Sequence, residues 1–350
     1  MRHAKSLNFP STAAKLIIPD LISDCPFALH LNPDGANAGI NSDAWLSTKG
    51  GLGAKKQNML RGLKCGLLAA MTYPDAPPYE LRTCCDFLSF LFHLDDLSDG
   101  MDKRGTLSTR KVVIGSMCDP TFDSGTRIGR MARDIWRRFA PLASTGTKAR
   151  FISTFELFFR AISQQAFDRR AGVVLDLKSY ICVRRDTSGL MGHEAVETMG
   201  EATNDLVSWS NDIFSFKVEN ARDDTHNMIS ISMLTLGLSL QDAVDYVGEL
   251  CSASIARFLA GKRRLPSFDN GGRVDREVGI YVRGLEDWIV GSLHWSFESA
   301  RYFGGEGGGI RKTRVVRLGQ SSSQGRRGDF LSKLGPWTCM MPHDMMPYDA

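Results

Sequence analysis

None of the eight cysteines in this 350-residue sequence forms a CxxC pair. A structural zinc site is therefore not expected, because closed zinc sites draw on such pairs. Most of the cysteines, Cys65, Cys84 and Cys251 among them, sit in apolar stretches and read as reduced core thiols of a cytoplasmic protein. Long apolar runs are missing too: Gly66 to Met71 is far too short to cross a bilayer. The first fifteen residues have no apolar core of the secretory kind. Charge of one sign is not in excess, with 43 basic against 39 acidic residues and a net +4. That balance gives no reason to expect a nucleic-acid or membrane partner. Alternating strand patterns are nearly absent, and no internal repeat is visible.

What is present is helical periodicity. Phe151, Phe155, Phe158, Ile162 and Ala166 step by four, three, four and four, which keeps them on one helix face. Leu81 to Leu97 and Val274 to Phe303 also read as long helices. The chain accordingly reads as all-α, with helices packed into a bundle. Residues 1–45 read as an N-terminal extended arm, since Pro10, Pro19, Pro26 and Pro33 forbid a continuous helix there. Residues 46–318 form the helical domain. Gly304 to Gly309 holds five glycines in six residues, and residues 319–350 read as an irregular C-terminal tail.

Two segments carry chemistry. In Phe90-Leu-Phe-His-Leu-Asp-Asp-Leu-Ser-Asp99, Asp95 and Asp99 lie four apart and share one helix face. Like charges at that spacing repel unless a cation sits between them. Carboxylates at the end of a buried apolar helix suit magnesium, which takes one or two of them and fills its other positions with water and phosphate oxygens. A solvated acidic helix end is the plain alternative for such a motif taken alone. His93, on a mostly apolar helix, reads as a core histidine rather than a ligand. In Trp209-Ser-Asn-Asp-Ile-Phe-Ser-Phe-Lys-Val-Glu219, Asn211, Ser215 and Glu219 fall at i, i+4 and i+8. An amide oxygen, a hydroxyl and a carboxylate then line one stripe, all oxygen ligands for a hard cation.

Together these segments resemble the aspartate-rich and NDxxSxxxE motifs of class I terpene cyclases. The resemblance implies a helical barrel with a central apolar cavity and three Mg2+ ions bridging both motifs to a substrate diphosphate. Asp95 matches the main acidic ligand, Asp96 and Asp99 its companions, and Asn211, Ser215 and Glu219 the second set. Arg301-Tyr302 resembles the family's diphosphate-binding pair; an Arg complementing a helix C-terminus is the plain alternative. Tyr180 to Gly189 resembles the diphosphate-sensing segment, with Arg185, Ser188 and Gly189 in its spacing and Arg184 as the competing register. Lys217 stands near, though displaced from, a diphosphate lysine. Phe92 and Trp295 match aromatic pocket positions.

The resemblance runs over roughly residues 16–318 and is to basidiomycete sesquiterpene cyclases. The run His93 to Asp102 most resembles the branch that closes farnesyl diphosphate between its first and eleventh carbons, the protoilludene-type cyclases among them. It implies a cyclase that ionises farnesyl diphosphate and closes the cation into a ring system. Two departures stand out. The stretch Gly189 to Glu201 is several helical turns shorter than in the family, and the tail has no counterpart. A degenerate, non-catalytic homologue is therefore one alternative. A chain-elongating prenyltransferase is another, although that class usually carries two DDxxD motifs and this chain has one.

Overall fold

The computed structural model describes residues 2–3, 15–98, 101, 103–171, 173–174, 177, 194–221 and 225–318. Its helices are α1 (Gly35–Gly50), α2 (Ala54–Arg61), α3 (Cys65–Thr72), α4 (Pro78–Ser98), α5 (Lys103–Cys118), α6 (Arg127–Phe139), α7 (Thr145–Ala171), α8 (Glu194–Asn220), α9 (Met228–Leu236), α10 (Leu240–Arg263), α11 (Arg273–Glu298) and α12 (Gly307–Thr313). Among the described residues, strands are confined to two short antiparallel pairs. One joins β1 (Arg2–His3) to β3 (Val173–Val174), and the other joins β2 (Lys15–Ile17) to β4 (Val315–Arg317).

The central helices are those whose sequences are apolar on nearly every face, the pattern of a helix surrounded by protein. On α4, Leu81, Cys85, Phe87, Phe90, Leu91 and Leu94 are all fully buried. The stepped aromatics of α7 pack against this helix: Phe87 lies 5.3 Å from Phe151 and 5.8 Å from Phe155, ring centre to ring centre. Asp86, buried among these apolar groups, is held by Arg82 at 2.9 Å and Arg138 at 2.7 Å. A buried carboxylate persists in such a place only when it is paired. Helix α8 packs along α10 and α11, and α4 along α1 and α3. The two helices that carry the motifs thus both belong to the core.

The N-terminal region departs from the sequence reading. Helix α1 runs through the boundary at residue 45, and Ile18 and Leu21 are buried. Gly35 and Gly39 are weak helix signals on propensity. They are small because α3 lies against them: a Cβ on Gly66 would overlap Gly39, and one on Gly35 would overlap Ala70. Close packing replaces periodicity as the reason for the helix. Asn32 fastens the preceding loop, donating to the carbonyls of Tyr73 and Ala76 at 2.9 and 2.8 Å. β2 then joins the far end of the domain through β4, with Leu16 opposite Val316.

A second departure concerns Val274 to Phe303. Helix α11 stops at Glu298, and Arg301 and Tyr302 lie in the turn beyond it. Ser299 is extended, with φ −84° and ψ 155°, and the next amide, Ala300, donates to Gly62 O at 2.9 Å. That bond draws the chain off the helix axis toward the α2–α3 turn, so the Arg-Tyr pair is placed by a turn and not by a helix terminus.

Candidate active site

The stripe on α8 is intact. Asn211, Ser215 and Glu219 are 1%, 4% and 3% exposed, on successive turns of one face. Two of these side chains, Asn211 and Glu219, are held by hydrogen bonds from other parts of the fold. Asn211 donates its amide N–H to the Tyr302 hydroxyl at 2.7 Å. The amide oxygen Oδ1 is then turned to the opposite side, where it is buried without a hydrogen-bond partner. Ser215 Oγ is likewise buried and unpartnered. Glu219 receives a hydrogen bond on Oε2 from Asn227 Nδ2 at 2.8 Å. Buried polar atoms without partners are rare and destabilising, typically by about 1–3 kcal/mol each. Two oxygen acceptors orphaned one turn apart, beside a carboxylate, fit a hard cation.

On α4, Asp95 is buried at 2% exposure near the helix end, where Ser98 Oγ donates to its carbonyl at 2.7 Å. Asp96 faces outward and forms an ion pair with Lys56 of α2 at 2.7 Å. His93 is a core histidine whose pKa is pushed down to about 4, first by burial and then by Lys56. It is neutral at physiological pH, and its Nδ1 is buried without a partner. Asp99 lies outside the described residues. Among the described residues no three His, Cys, Asp or Glu side chains converge on a metal position. The α8 set supplies only one carboxylate and relies on an amide and a hydroxyl instead.

The turn after α11 joins the two helices. The Arg301 guanidinium lies over the Phe92 ring, 5.1 Å from its centre, and over the Tyr302 ring at 5.6 Å. Phe92 is one turn before Asp95 on the same face of α4. Tyr302 in turn holds Asn211 of α8. The Arg-Tyr pair therefore stands between the first motif and the second, with Arg301 itself 7% exposed. Trp295 completes the group: it lies 5.7 Å from Phe92 and 6.2 Å from Tyr302, and its indole N–H donates to Leu63 O at 2.7 Å.

Lys217 and the residues of the diphosphate-sensing segment complete the sequence-predicted set. Lys217 is half-buried on α8, but two positions from Ser215 is about 200° around the helix. The stripe and Lys217 thus occupy different faces. Arg184, Arg185, Ser188 and Gly189 lie outside the described residues. Three contacts went unread in the sequence: the Lys56–Asp96 pair, the pairing of Arg257 with buried Asp205 on α8, and Asn227 against Glu219. The first two are non-local and leave no sequence pattern. Asn227 did leave one, an Asn directly before an apolar helix start, which is an N-cap signal.

Comparison with known proteins agrees with this geometry. A family model described as terpene synthase family 2, C-terminal metal binding, matches residues 86–192 and 190–257. The chain is 48% identical over 324 residues to sesquiterpene synthase Agr1 of Cyclocybe aegerita, covering 87% of this chain and 93% of that one. It belongs to the terpene synthase family and is an enzyme of that class. Among solved structures, that of an α-eudesmol synthase superposes with a TM-score of 0.69, covering 77% of this chain and 97% of the other, at 20% identity; this likeness speaks for the class I fold. A Δ6-protoilludene synthase of Stereum hirsutum is only 29% identical, over 88% of this chain and 89% of that one. The resemblance to the protoilludene branch is thus the lesser one. Among the described residues, no helix is long and apolar enough to cross a membrane.

Proposed function

We propose that this chain is a cytoplasmic sesquiterpene cyclase that ionises farnesyl diphosphate with the help of Mg2+. The observation that carries the reading is the Arg301-Tyr302 turn. It touches Phe92 of the aspartate-rich helix and Asn211 of the second helix at once, beside acceptors that have no protein partner. Asp95 on one side and Asn211, Ser215 and Glu219 on the other would hold the metal. Magnesium there would supply positive charge that stabilises the departing diphosphate. Asp96, Asp99, Arg185 and Gly189 are assigned by resemblance to the same face of the site, and Lys217 is left out of it.

The protein's own groups do the rest. The Arg301 fork pairs with phosphate oxygens, and the aromatic faces beneath it keep the fork planar to the substrate. The allylic C–O bond breaks and its electron pair leaves with the diphosphate. The carbocation that remains would react with any water, so it must form in an apolar, enclosed space. Phe92 and Trp295 offer aromatic faces to passing positive charge. Loss of a proton ends the reaction as a hydrocarbon, and capture of water ends it as an alcohol.

A second reading has one observation in its favour. The family match breaks into two parts at 190–192, where the sequence also reads as shortened. On that reading the pocket wall is incomplete, and water competes with ring closure. Incubation with farnesyl diphosphate and Mg2+, read by gas chromatography, separates the two. Cyclic sesquiterpenes support the cyclase reading, acyclic alcohols the shortened-wall reading, and absence of any diphosphate release contradicts both.

A further inference from the structure

We propose that Asn227 is a positioning residue that sets the orientation of the Glu219 carboxylate toward the metal site. The inference rests on the reading of Glu219 as a metal ligand.

Asn227 is fully buried and occupies the N-cap of α9. Three bonds fix its side chain. Its Oδ1 accepts from the Ile229 amide at 2.8 Å. Its Nδ2 donates to the Asp212 carbonyl at 2.8 Å and to Glu219 Oε2 at 2.8 Å. The orientation of the amide is determined by chemistry: a backbone N–H can only donate, while a carbonyl and a carboxylate can only accept. Asp212 fastens the same junction from the other side, accepting from the Met228 amide on Oδ2 at 2.9 Å.

The consequence lies in the geometry of Glu219. It is near the C-terminal end of α8, where a long side chain would otherwise sample several rotamers. Asn227 engages one carboxylate oxygen and so turns the other toward the stripe of Asn211 and Ser215. A neutral donor does this without bringing a charge of its own to the carboxylate. Groups that hold a metal ligand by its second atom typically change metal affinity by about 10–100-fold when removed. Asn211 has the matching arrangement, with Tyr302 on its amide N–H. Two of the three candidate ligands on α8, Asn211 and Glu219, thus each have a neutral hydrogen-bond partner outside the helix.

Capping and positioning can be separated by substitution. Asn227→Ser keeps a good N-cap but is too short to reach Glu219, and Asn227→Asp keeps the cap while placing a second negative charge against it. Both should melt within a few degrees of the parent protein. Binding of Mg2+ with inorganic diphosphate, followed by titration calorimetry without turnover, should weaken about tenfold in Asn227→Ser and further in Asn227→Asp. The Mg2+ concentration for half-maximal rate should rise in parallel. Unchanged Mg2+–diphosphate affinity in either folded variant would overturn the proposal while leaving Glu219 as a ligand. Loss of the fold in both, although both keep the cap, would assign Asn227 to holding the α8–α9 junction together and overturn the proposal too. Failure of the parent protein to bind Mg2+ and diphosphate would overturn both this role and the metal reading beneath it.

Discussion

Helices α4 and α8 carry the same kind of chemistry, yet they are prepared for it differently. On α8 the three candidate ligands are in the middle and last turns of a buried helix, and neutral partners aim two of them. On α4 the acidic residues crowd the helix end, and Asp96 is taken up by a cation, Lys56, from a separate helix. In the α8 set, hydrogen bonds hold Asn211 and Glu219 with nothing bound. The α4 set has an ion pair at its rim, with side chains 29% and 19% exposed, that bulk solvent weakens. The difference teaches that one half of the site is built in advance while the other is completed by its cation.

The largest effect should come from removing charge on the α4 side. Asp95→Asn should lower turnover by on the order of 10³-fold with helicity by circular dichroism unchanged; a folded variant with parental rates would remove Asp95 from the site. Next is Arg301→Lys, which keeps the charge and loses the planar fork. A fall in kcat/KM of about 10–100-fold is expected in steady-state kinetics, and no change would reduce the pair to a feature of the turn. Tyr302→Phe deletes the acceptor for Asn211 and should cost about 1 kcal/mol, close to a fivefold loss in Mg2+–diphosphate affinity by calorimetry. The smallest effect belongs to Lys56→Met. Being a solvent-accessible, partly buried pair, Lys56–Asp96 should contribute about 1 kcal/mol or less to the melting free energy, with the difference shrinking further in high salt. A large, salt-insensitive loss there would mean that α4 is as rigidly prepared as α8, and the contrast would fail.

Both helices were legible in the sequence because their information is local. The ligand spacing of four and the surrounding apolar residues need no knowledge of the rest of the fold. The same holds for the aromatic stripe of α7. Helix α1 was not legible, because Gly35 and Gly39 are there for the approach of α3, a contact between distant residues. The end of α11 was misplaced for a similar reason: the Ser299 turn is stabilised by Gly62, far away in the chain. Lys56 and the Tyr302–Asn211 bond are non-local as well. Motif spacing singled out Asn211 and the family resemblance singled out Tyr302, but nothing in the sequence shows that one bonds the other.

The central claim is that residues of α4 and α8 share one metal–diphosphate site. Its most direct test is a crystal of the protein grown with Mn2+ and inorganic diphosphate, with the manganese located by anomalous scattering. The account predicts manganese about 2.1–2.2 Å from Asn211 Oδ1, Ser215 Oγ and a Glu219 oxygen, and further manganese on Asp95, with one diphosphate between them and Arg301. Manganese confined to one helix, or bound away from both, would contradict it.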